Sequence, residues 1–218
     1  MTETPSSSQP PFSRLYPILD ASLETKDSMA ASIRTLARAG CRLVQLRAKE
    51  LSAREFLSWA ETAREASSES GIRLVINDRV DVALLVGADG VHLGQDDISP
   101  ESARKILGPG AIVGLSTHSL EEAGSSTRAP VDYVAIGPIF ETSTKLGGPD
   151  PIGIEGALAV RAVVRRPLVA IGGITLERAP ALFEAGIDGL AVISALKEPF
   201  GEGQTLESIA RTWMSLGS

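Results

Sequence analysis

Apolar and polar residues form two alternating patterns along this chain. Amphipathic segments carry apolar residues at helical spacing, for example at Ser28–Ala39, Ala53–Ser70 and Thr175–Ala185. Between them recur short apolar runs, each about as long as a strand buried on both faces. The eight runs are Leu15–Asp20, Leu43–Ala48, Arg73–Asp78, Gly90–Gln95, Ala111–His118, Tyr133–Pro138, Pro167–Gly173 and Gly189–Ser194. Strict alternation of this kind predicts parallel strands covered by helices.

The number of units favours a closed (β/α)8 barrel, the TIM barrel. An open doubly wound sheet, the alternative, usually has only about five or six strands. Helix boundaries fit the same reading, with left-handed caps expected at Gly40, Gly71, Gly108 and Gly186 and N-caps at Ser52, Ser99, Ser119 and Thr175. No linker divides the chain. We therefore predict one barrel domain over residues 14–218, preceded by a disordered Ser- and Pro-rich tail over residues 1–13.

Composition narrows the function classes. The formal net charge is −6 and the chain has no basic run, so nucleic acid and anionic membranes are not expected partners. Cys41 is the single cysteine, which excludes an intramolecular disulfide and fits a reducing cytoplasm. No apolar run approaches the ~20 residues of a membrane span, and the N-terminus has no secretory pattern. We expect a cytoplasmic protein that binds small molecules, and the sequence leaves a homo-oligomer open.

In a barrel, chemistry is expected where the strands end. The second strand runs into Gln45, Arg47 and Lys49, which share one face because side chains alternate along an extended backbone. Neighbouring cations on a buried face are unfavourable unless an anion neutralises them. The pattern therefore suggests an anion site, and the alternative is a solvated edge strand whose cations reach into water.

Two carboxylates, Asp78 and Asp97, follow the third and fourth strands. Each stands near a predicted helix start, so helix capping is one explanation. Magnesium is the other, because Mg²⁺ often takes one or two carboxylates and completes its shell with water and substrate phosphate. Beside the cations of the second strand, the pair predicts a site for a diphosphate and Mg²⁺.

The ends of the last three strands suggest a second anion site. The interval from Phe140 to Ile152 exceeds the usual connection of about 2–6 residues and contains the hydroxyl-rich segment Thr142–Lys145. It is either a functional lid or an ordinary polar loop. Gly172-Gly173 and Ser194 follow the seventh and eighth strands, where such barrels often bind phosphate. A tight left-handed turn is the alternative explanation for the glycine pair.

The remaining reactive residues offer less. His92 lies inside a strand and is expected to be a hydrogen-bonded core residue, whereas His118 at a strand end is a weaker catalytic candidate. Two histidines without a cysteine partner make no zinc signature. The residues offer cations, carboxylates and hydroxyls, and we expect no nucleophile–base pair.

An ordered set of motifs resembles the thiamine phosphate synthase family over about residues 15–196. The motifs are Gln-Leu-Arg-x-Lys from Gln45, Ile-Asn-Asp from Ile76, His-Leu-Gly-Gln-x-Asp from His92, Gly-x-Ser-Thr-His from Gly114, Thr-x-Thr-Lys from Thr142, Ile-Gly-Gly-Ile from Ile171 and Ile-Ser from Ile193. The resemblance implies that a hydroxymethylpyrimidine diphosphate releases pyrophosphate and that the nitrogen of a thiazole phosphate bonds to the carbon left behind, giving thiamine phosphate.

The resemblance also implies roles for individual residues. The pyrimidine diphosphate would be held by Gln45, Arg47, Lys49, Asn77, Ser116 and Lys145, of which Arg47, Ser116 and Lys145 would act in catalysis. Mg²⁺ would be held by Asp78 and Asp97. The thiazole phosphate would be held by Thr142, Ser143, Thr144, Gly173, Ile193 and Ser194.

Two other readings stay open. Phe140-Glu141 replaces an expected aromatic–proline pair, and the strand around His118 is also similar to the sister family of thiazole tautomerases. A tautomerase has no use for the combined cations and carboxylates of strands two to four, which favours the synthase. A non-catalytic barrel that binds thiazole phosphate is the third reading.

Overall fold

The computed structural model describes residues 10–142, 149–197 and 201–216. Eight parallel strands form a closed barrel in chain order, since β8 pairs with β1. The strands are β1 Leu15–Asp20, β2 Leu43–Arg47, β3 Arg73–Asn77, β4 Gly90–Leu93, β5 Ile112–Thr117, β6 Tyr133–Ile136, β7 Leu168–Ile171 and β8 Gly189–Val192. The predicted (β/α)8 barrel is confirmed, and the open sheet is excluded by the closure.

A helix follows each strand and covers the outside of the barrel. The helices are α1 Lys26–Arg38, α2 Ala53–Ser70, α3 Val80–Val86, α4 Pro100–Leu107, α5 Leu120–Ser126, α6 Gly153–Val163, α7 Ala179–Glu184 and α8 Leu206–Ser215. Ser52, Ser99 and Ser119 are N-caps, as predicted. The cap predicted at Thr175 is wrong, because a turn intervenes and α7 begins only after Arg178. Within the described ranges, no helix is long and apolar enough to cross a membrane.

The core has two layers, one between strands and helices and one inside the barrel. The outer layer consists mainly of Ala, Val, Ile and Leu, as the low aromatic content predicts. The inner layer is closed from below by aromatic rings, with Phe12 stacked on Tyr16 at 6.0 Å and edge-on to Tyr133 at 5.4 Å. Phe12 and Ser13 are buried, so the predicted disordered tail is wrong for these two residues. Residues 1–9 lie outside the described part of the chain.

The amino-terminal rim repeats one polar motif three times. An aspartate directly before an even-numbered strand accepts a backbone N–H from the strand before it, at 2.8 Å in each case, and pairs with an arginine of a covering helix. The aspartates are Asp89, Asp132 and Asp188, the amides are those of Leu74, Val113 and Leu168, and the arginines are Arg64, Arg104 and Arg161. These contacts stabilise the amino-terminal rim of the barrel, opposite the carboxyl-terminal ends of the strands.

Candidate active site

A cavity of about 900 Å³ opens at the carboxyl-terminal ends of the strands. Every predicted site residue within the described ranges lines it. These are Gln45, Arg47, Lys49, Asn77, Asp78, Asp97, Ser116, Thr142, Gly173, Ile193 and Ser194. The predicted residues Ser143, Thr144 and Lys145 lie outside the described part of the chain. The topology thus brings eleven residues from seven strand ends to one cavity.

The polar face of β2 points into the barrel, so the alternative of a solvated edge strand is wrong. Gln45 is only 1% exposed and donates through Nε2 to the Tyr16 hydroxyl at 2.8 Å. Arg47 forms an ion pair with Asp20, and Lys49 Nζ lies 3.3 Å from Asp78 Oδ2. Each cation therefore has a carboxylate beside it, with Lys49 on the more exposed side of the cavity.

Asp20 is a polar residue that the sequence analysis missed. It ends β1, is 3% exposed, and holds both Ser22 and the Arg47 guanidinium. Burial alone would raise the pKa of this carboxyl, but the Ser22 hydrogen bonds and the Arg47 charge hold it below its ordinary value. A charged Asp20 fixes Arg47 against the cavity wall. The signal in the sequence was a carboxylate ending an otherwise apolar run, Leu15–Asp20.

The two predicted magnesium ligands lie together. Burial, followed by the charge of Asp97, raises the pKa of Asp78, and the Lys49 charge opposes this rise. Asp97 Oδ2 accepts the Gly94 N–H at 2.7 Å. Neither carboxylate caps a helix, since the N-caps of α3 and α4 are Arg79 and Ser99, so the capping explanation is wrong.

The backbone at Asp78 supports a functional reading of the pair. Its φ of 63° places it in the left-handed region, alone among non-glycine residues in the described ranges. An L-residue pays roughly 1–2 kcal/mol there, and such strain concentrates at functional sites. In this conformation Asp78 follows the buried Asn77 and turns its carboxyl toward Asp97 and Lys49.

The donor set fits a magnesium ion that shares its ligands with a substrate. Burial and the charge of Asp97 both raise the pKa of Asp78, so a divalent cation bound between the two carboxylates would offset this repulsion. No cluster of three or more His, Cys, Asp or Glu side chains suited to a metal occurs within the described ranges. Water and substrate oxygens would have to complete the shell, which is the usual arrangement for Mg²⁺.

The two histidines differ in environment. His92 is buried, and its ring nitrogens lie 2.9 Å from the Tyr133 hydroxyl and 2.8 Å from Ser116 Oγ. Burial lowers the pKa of His92 to about 4. The prediction of a hydrogen-bonded core histidine is confirmed. The sequence analysis did not predict the contact between His92 and Ser116, which the pairing of β4 with β5 brings about.

His118 lines the cavity beyond the end of β5. Its Nδ1 lies 2.7 Å from the Gly137 carbonyl oxygen, which can only accept, so Nδ1 carries the proton. In the neutral ring Nε2 then carries a lone pair. Within the described ranges, the partner of the His118 ring is this backbone carbonyl and not a carboxylate, and the role of His118 stays a prediction.

The far side of the cavity is built on the glycine pair after β7. Gly173 has φ 60°, and a Cβ there would lie 2.3 Å from the Glu141 carbonyl oxygen. Arg178 donates to the Gly173 carbonyl at 2.8 Å and covers the Phe140 ring at 4.5 Å. The tight left-handed turn is therefore present, and it packs the loop after β6 onto the end of β7. Ile193 and Ser194, which follow β8, line the same cavity.

Comparison with known proteins agrees with this geometry. The profile of the family described as thiamine monophosphate synthase matches residues 15–196. The thiamine-phosphate synthase of Azorhizobium caulinodans is 47% identical over 182 residues, which are 84% of this chain and 86% of that protein. The thiamine-phosphate synthase of Syntrophomonas wolfei is 42% identical, over 89% of this chain and 95% of that protein.

A solved structure extends the likeness to three dimensions. Thiamine phosphate pyrophosphorylase from Pyrococcus furiosus superposes with a TM-score of 0.78 at 35% identity, covering 92% of this chain and 93% of that chain. Residues 15–196, which the family profile matches, contain all eight strands and every residue of the predicted site. The chain belongs to the thiamine monophosphate synthase family.

Proposed function

We propose that this protein is a transferase that condenses 4-amino-2-methyl-5-hydroxymethylpyrimidine diphosphate with thiazole phosphate, releasing thiamine phosphate and pyrophosphate. The observation that carries the proposal is the shared cavity, which Arg47 and Lys49 line together with the Asp78–Asp97 pair and in which Lys49 lies 3.3 Å from Asp78. Relatives that span most of the chain are named thiamine-phosphate synthases, which supports the same reaction.

The proposed condensation requires no covalent bond between the substrate and the protein. An aminopyrimidine stabilises positive charge on its methylene carbon, so pyrophosphate can leave before the new carbon–nitrogen bond is complete. The site must then neutralise the leaving group and hold the thiazole nitrogen close to that carbon. We assign Arg47, Lys49 and Lys145 to the first task. Gln45 and Asn77 are assigned to the pyrimidine.

We assign Mg²⁺ to Asp78 and Asp97. When bound, the ion would neutralise part of the negative charge of the diphosphate. The thiazole phosphate is assigned to the opposite wall, with Gly173, Ile193 and Ser194, and to the loop residues Thr142, Ser143 and Thr144. Backbone N–H groups can approach an anion closely at such turns. The small-molecule substrates would thus occupy two separate anion sites.

A thiazole tautomerase is the second candidate, favoured by the position of His118 in the cavity wall. Tautomerisation needs a group that moves a proton beside the thiazole, and it gives the paired aspartates of the other wall no function. A barrel that only binds thiazole phosphate would need neither. The carboxylates and cations of β2 to β4 therefore favour the synthase.

One assay separates these candidates. The protein is mixed with both substrates and Mg²⁺, and thiamine phosphate and pyrophosphate are measured together. A synthase yields both products in equal amounts. Isomerisation of the thiazole phosphate without pyrophosphate release identifies a tautomerase, and binding without turnover identifies a non-catalytic barrel. The cytoplasmic location and the oligomeric state stay predictions.

A further inference from the structure

Five polar side chains form a continuous hydrogen-bonded line through the interior of the barrel. Gln45 Nε2 lies 2.8 Å from the Tyr16 hydroxyl, which lies 2.6 Å from the Tyr133 hydroxyl. Tyr133 lies 2.9 Å from His92 Nδ1, and His92 Nε2 lies 2.8 Å from Ser116 Oγ. Only the two ends and His92 reach the cavity, because the tyrosines lie beneath its floor.

The direction of each hydrogen bond in this line follows from the first one. The Gln45 amide nitrogen can only donate, so the Tyr16 oxygen accepts and its O–H donates to Tyr133. The Tyr133 O–H then donates to His92 Nδ1, which leaves the imidazole proton on Nε2. Nε2–H donates to Ser116 Oγ.

The order leaves a free acceptor at one end and a free donor at the other. Gln45 Oε1 forms no hydrogen bond within the described ranges, and it is available to a donor such as an exocyclic amine. Ser116 has its oxygen engaged by His92, so its own proton is free to point into the cavity. The opposite order would make Ser116 donate to His92 and would turn it into an activated nucleophile.

We infer that Tyr133 and His92 are positioning residues that fix the Ser116 hydroxyl as a hydrogen-bond donor toward the departing pyrophosphate, and that they do not activate it as a nucleophile. The inference rests on the proposed condensation for the identity of the leaving group. It involves no proton transfer and no covalent bond to Ser116. A donor aimed at developing negative charge is worth most in a site shielded from water.

Burial keeps the line in one protonation state. It lowers the pKa of His92 to about 4 and raises the pKa of both tyrosine hydroxyls well above the ordinary value. Within the described ranges, the charged group that acts on His92 is Asp97, which opposes this lowering without cancelling it. At neutral pH no member ionises, so the direction of the hydrogen bonds is set by the fold.

The first test needs neither substrate nor activity. The chain has two histidines, so nitrogen-labelled protein gives two imidazole spectra, and a His118→Gln variant identifies the one from His92. We expect His92 protonated on Nε2 and bare on Nδ1 at neutral pH. A proton on Nδ1 would reverse the line and overturn the inference, whatever reaction the protein catalyses.

The second test asks whether Tyr133 acts through Ser116. Tyr133→Phe should lower kcat of the condensation about tenfold, the size expected for one lost hydrogen bond, and should leave KM for the thiazole phosphate unchanged. In a Ser116→Ala background, Tyr133→Phe should lower kcat no further. Losses that multiply in the double variant would show that Tyr133 acts independently of Ser116, contrary to the inference.

Two further variants test whether the lower kcat of Tyr133→Phe has only a structural cause. Thr117→Val removes a buried hydroxyl next to Ser116, one that donates to the Ala135 carbonyl outside this line, and should change the melting temperature without changing kcat. Tyr16→Phe breaks the line one step further from Ser116 and should reduce kcat less than Tyr133→Phe. If wild-type protein makes no thiamine phosphate, the proposed function fails and the role toward pyrophosphate fails with it, while the histidine spectrum still decides the direction of the line.

Discussion

At the amino-terminal rim of the barrel, the aspartates before β4, β6 and β8 each hold one arginine and one backbone amide. At the carboxyl-terminal rim, Asp78 instead shares its surroundings with Asp97, and burial together with that neighbouring charge raises its pKa. Among the described residues, Lys49, two positions after β2, is the cation whose charge opposes the raised pKa of Asp78. An aspartate stabilises the fold at the amino-terminal rim, where each carboxylate has its own partners. At the carboxyl-terminal rim, two aspartates lie close together, and their carboxylates are available to a ligand.

Removing one charge from each rim is the strongest test of this difference between the aspartates of the two rims. Asp78→Asn should lower condensation turnover about 10³-fold, at the upper end of what loss of one charge-stabilising group causes. Asn tolerates the left-handed conformation, and the repulsion from Asp97 disappears, so the melting temperature should not fall. Steady-state kinetics and thermal melts measure both effects.

Asp132→Asn is the matched variant at the other rim. It weakens the contacts to Arg104 and the Val113 amide, so the free energy of unfolding should fall by about 1–2 kcal/mol while kcat stays unchanged. If Asp132→Asn abolished turnover in a folded protein, or if Asp78→Asn only destabilised, the division of labour between the rims would be refuted.

Loss of Lys145 should have the next largest effect. Lys145→Ala removes a donor that strengthens as charge develops on pyrophosphate, so turnover should fall by roughly 10²–10³. The measurement is kcat together with both Michaelis constants. A rise confined to the Michaelis constant for the thiazole phosphate would place Lys145 in the other pocket.

A smaller effect is expected at Gly173 on the wall assigned to the thiazole. Gly173→Ala puts a Cβ against the Glu141 carbonyl and should raise KM for thiazole phosphate about tenfold, equivalent to about 1.4 kcal/mol, with much less effect on the pyrimidine diphosphate. Gly87→Ala is the control, since Gly87 has nearly the same φ, 62°, with no atom within 4 Å of the added Cβ. It should lower stability by roughly 1 kcal/mol and leave kinetics intact. Equal rises in both Michaelis constants for Gly173→Ala would argue against two separate pockets.

His92 predicts a modest pH dependence of stability. Its pKa is about 4 in the fold against an ordinary 6.5, so the unfolded chain binds the extra proton between these values. Stability is therefore fully present above pH 6.5 and falls as the pH drops toward 4, by about 3 kcal/mol in all. Denaturant titrations across this window should lose that slope in His92→Gln and keep it in His118→Gln. The same slope in both variants would assign it to other groups.

The sequence predicted the barrel because its signals are local. Each buried strand is a short apolar run, and several helices begin at a serine that caps them, so eight strands could be placed without any contact information. Errors fell at strand ends. β3 stops at Asn77 because Asp78 turns left-handed, and β7 stops at Ile171 because Gly172 has φ 101°.

The predicted site was accurate for residues that follow strands and incomplete for residues inside the barrel. Closure of parallel strands carries every strand end to one cavity, so polar residues there could be grouped from the fold alone. The line from Gln45 to Ser116 depends on contacts such as Tyr16 to Tyr133, which are 117 residues apart. Such contacts between distant residues depend on how the rings pack inside the barrel, so no local sequence pattern predicts them.

The most direct test of the account is the dependence of condensation on Mg²⁺. Thiamine phosphate and pyrophosphate are measured as Mg²⁺ is titrated into metal-free wild-type protein and into Asp97→Asn. We expect no product in EDTA, equal amounts of both products once Mg²⁺ is added, and a higher Mg²⁺ requirement for the variant. Unchanged synthesis in EDTA would contradict the assignment of a diphosphate–metal site to Asp78 and Asp97.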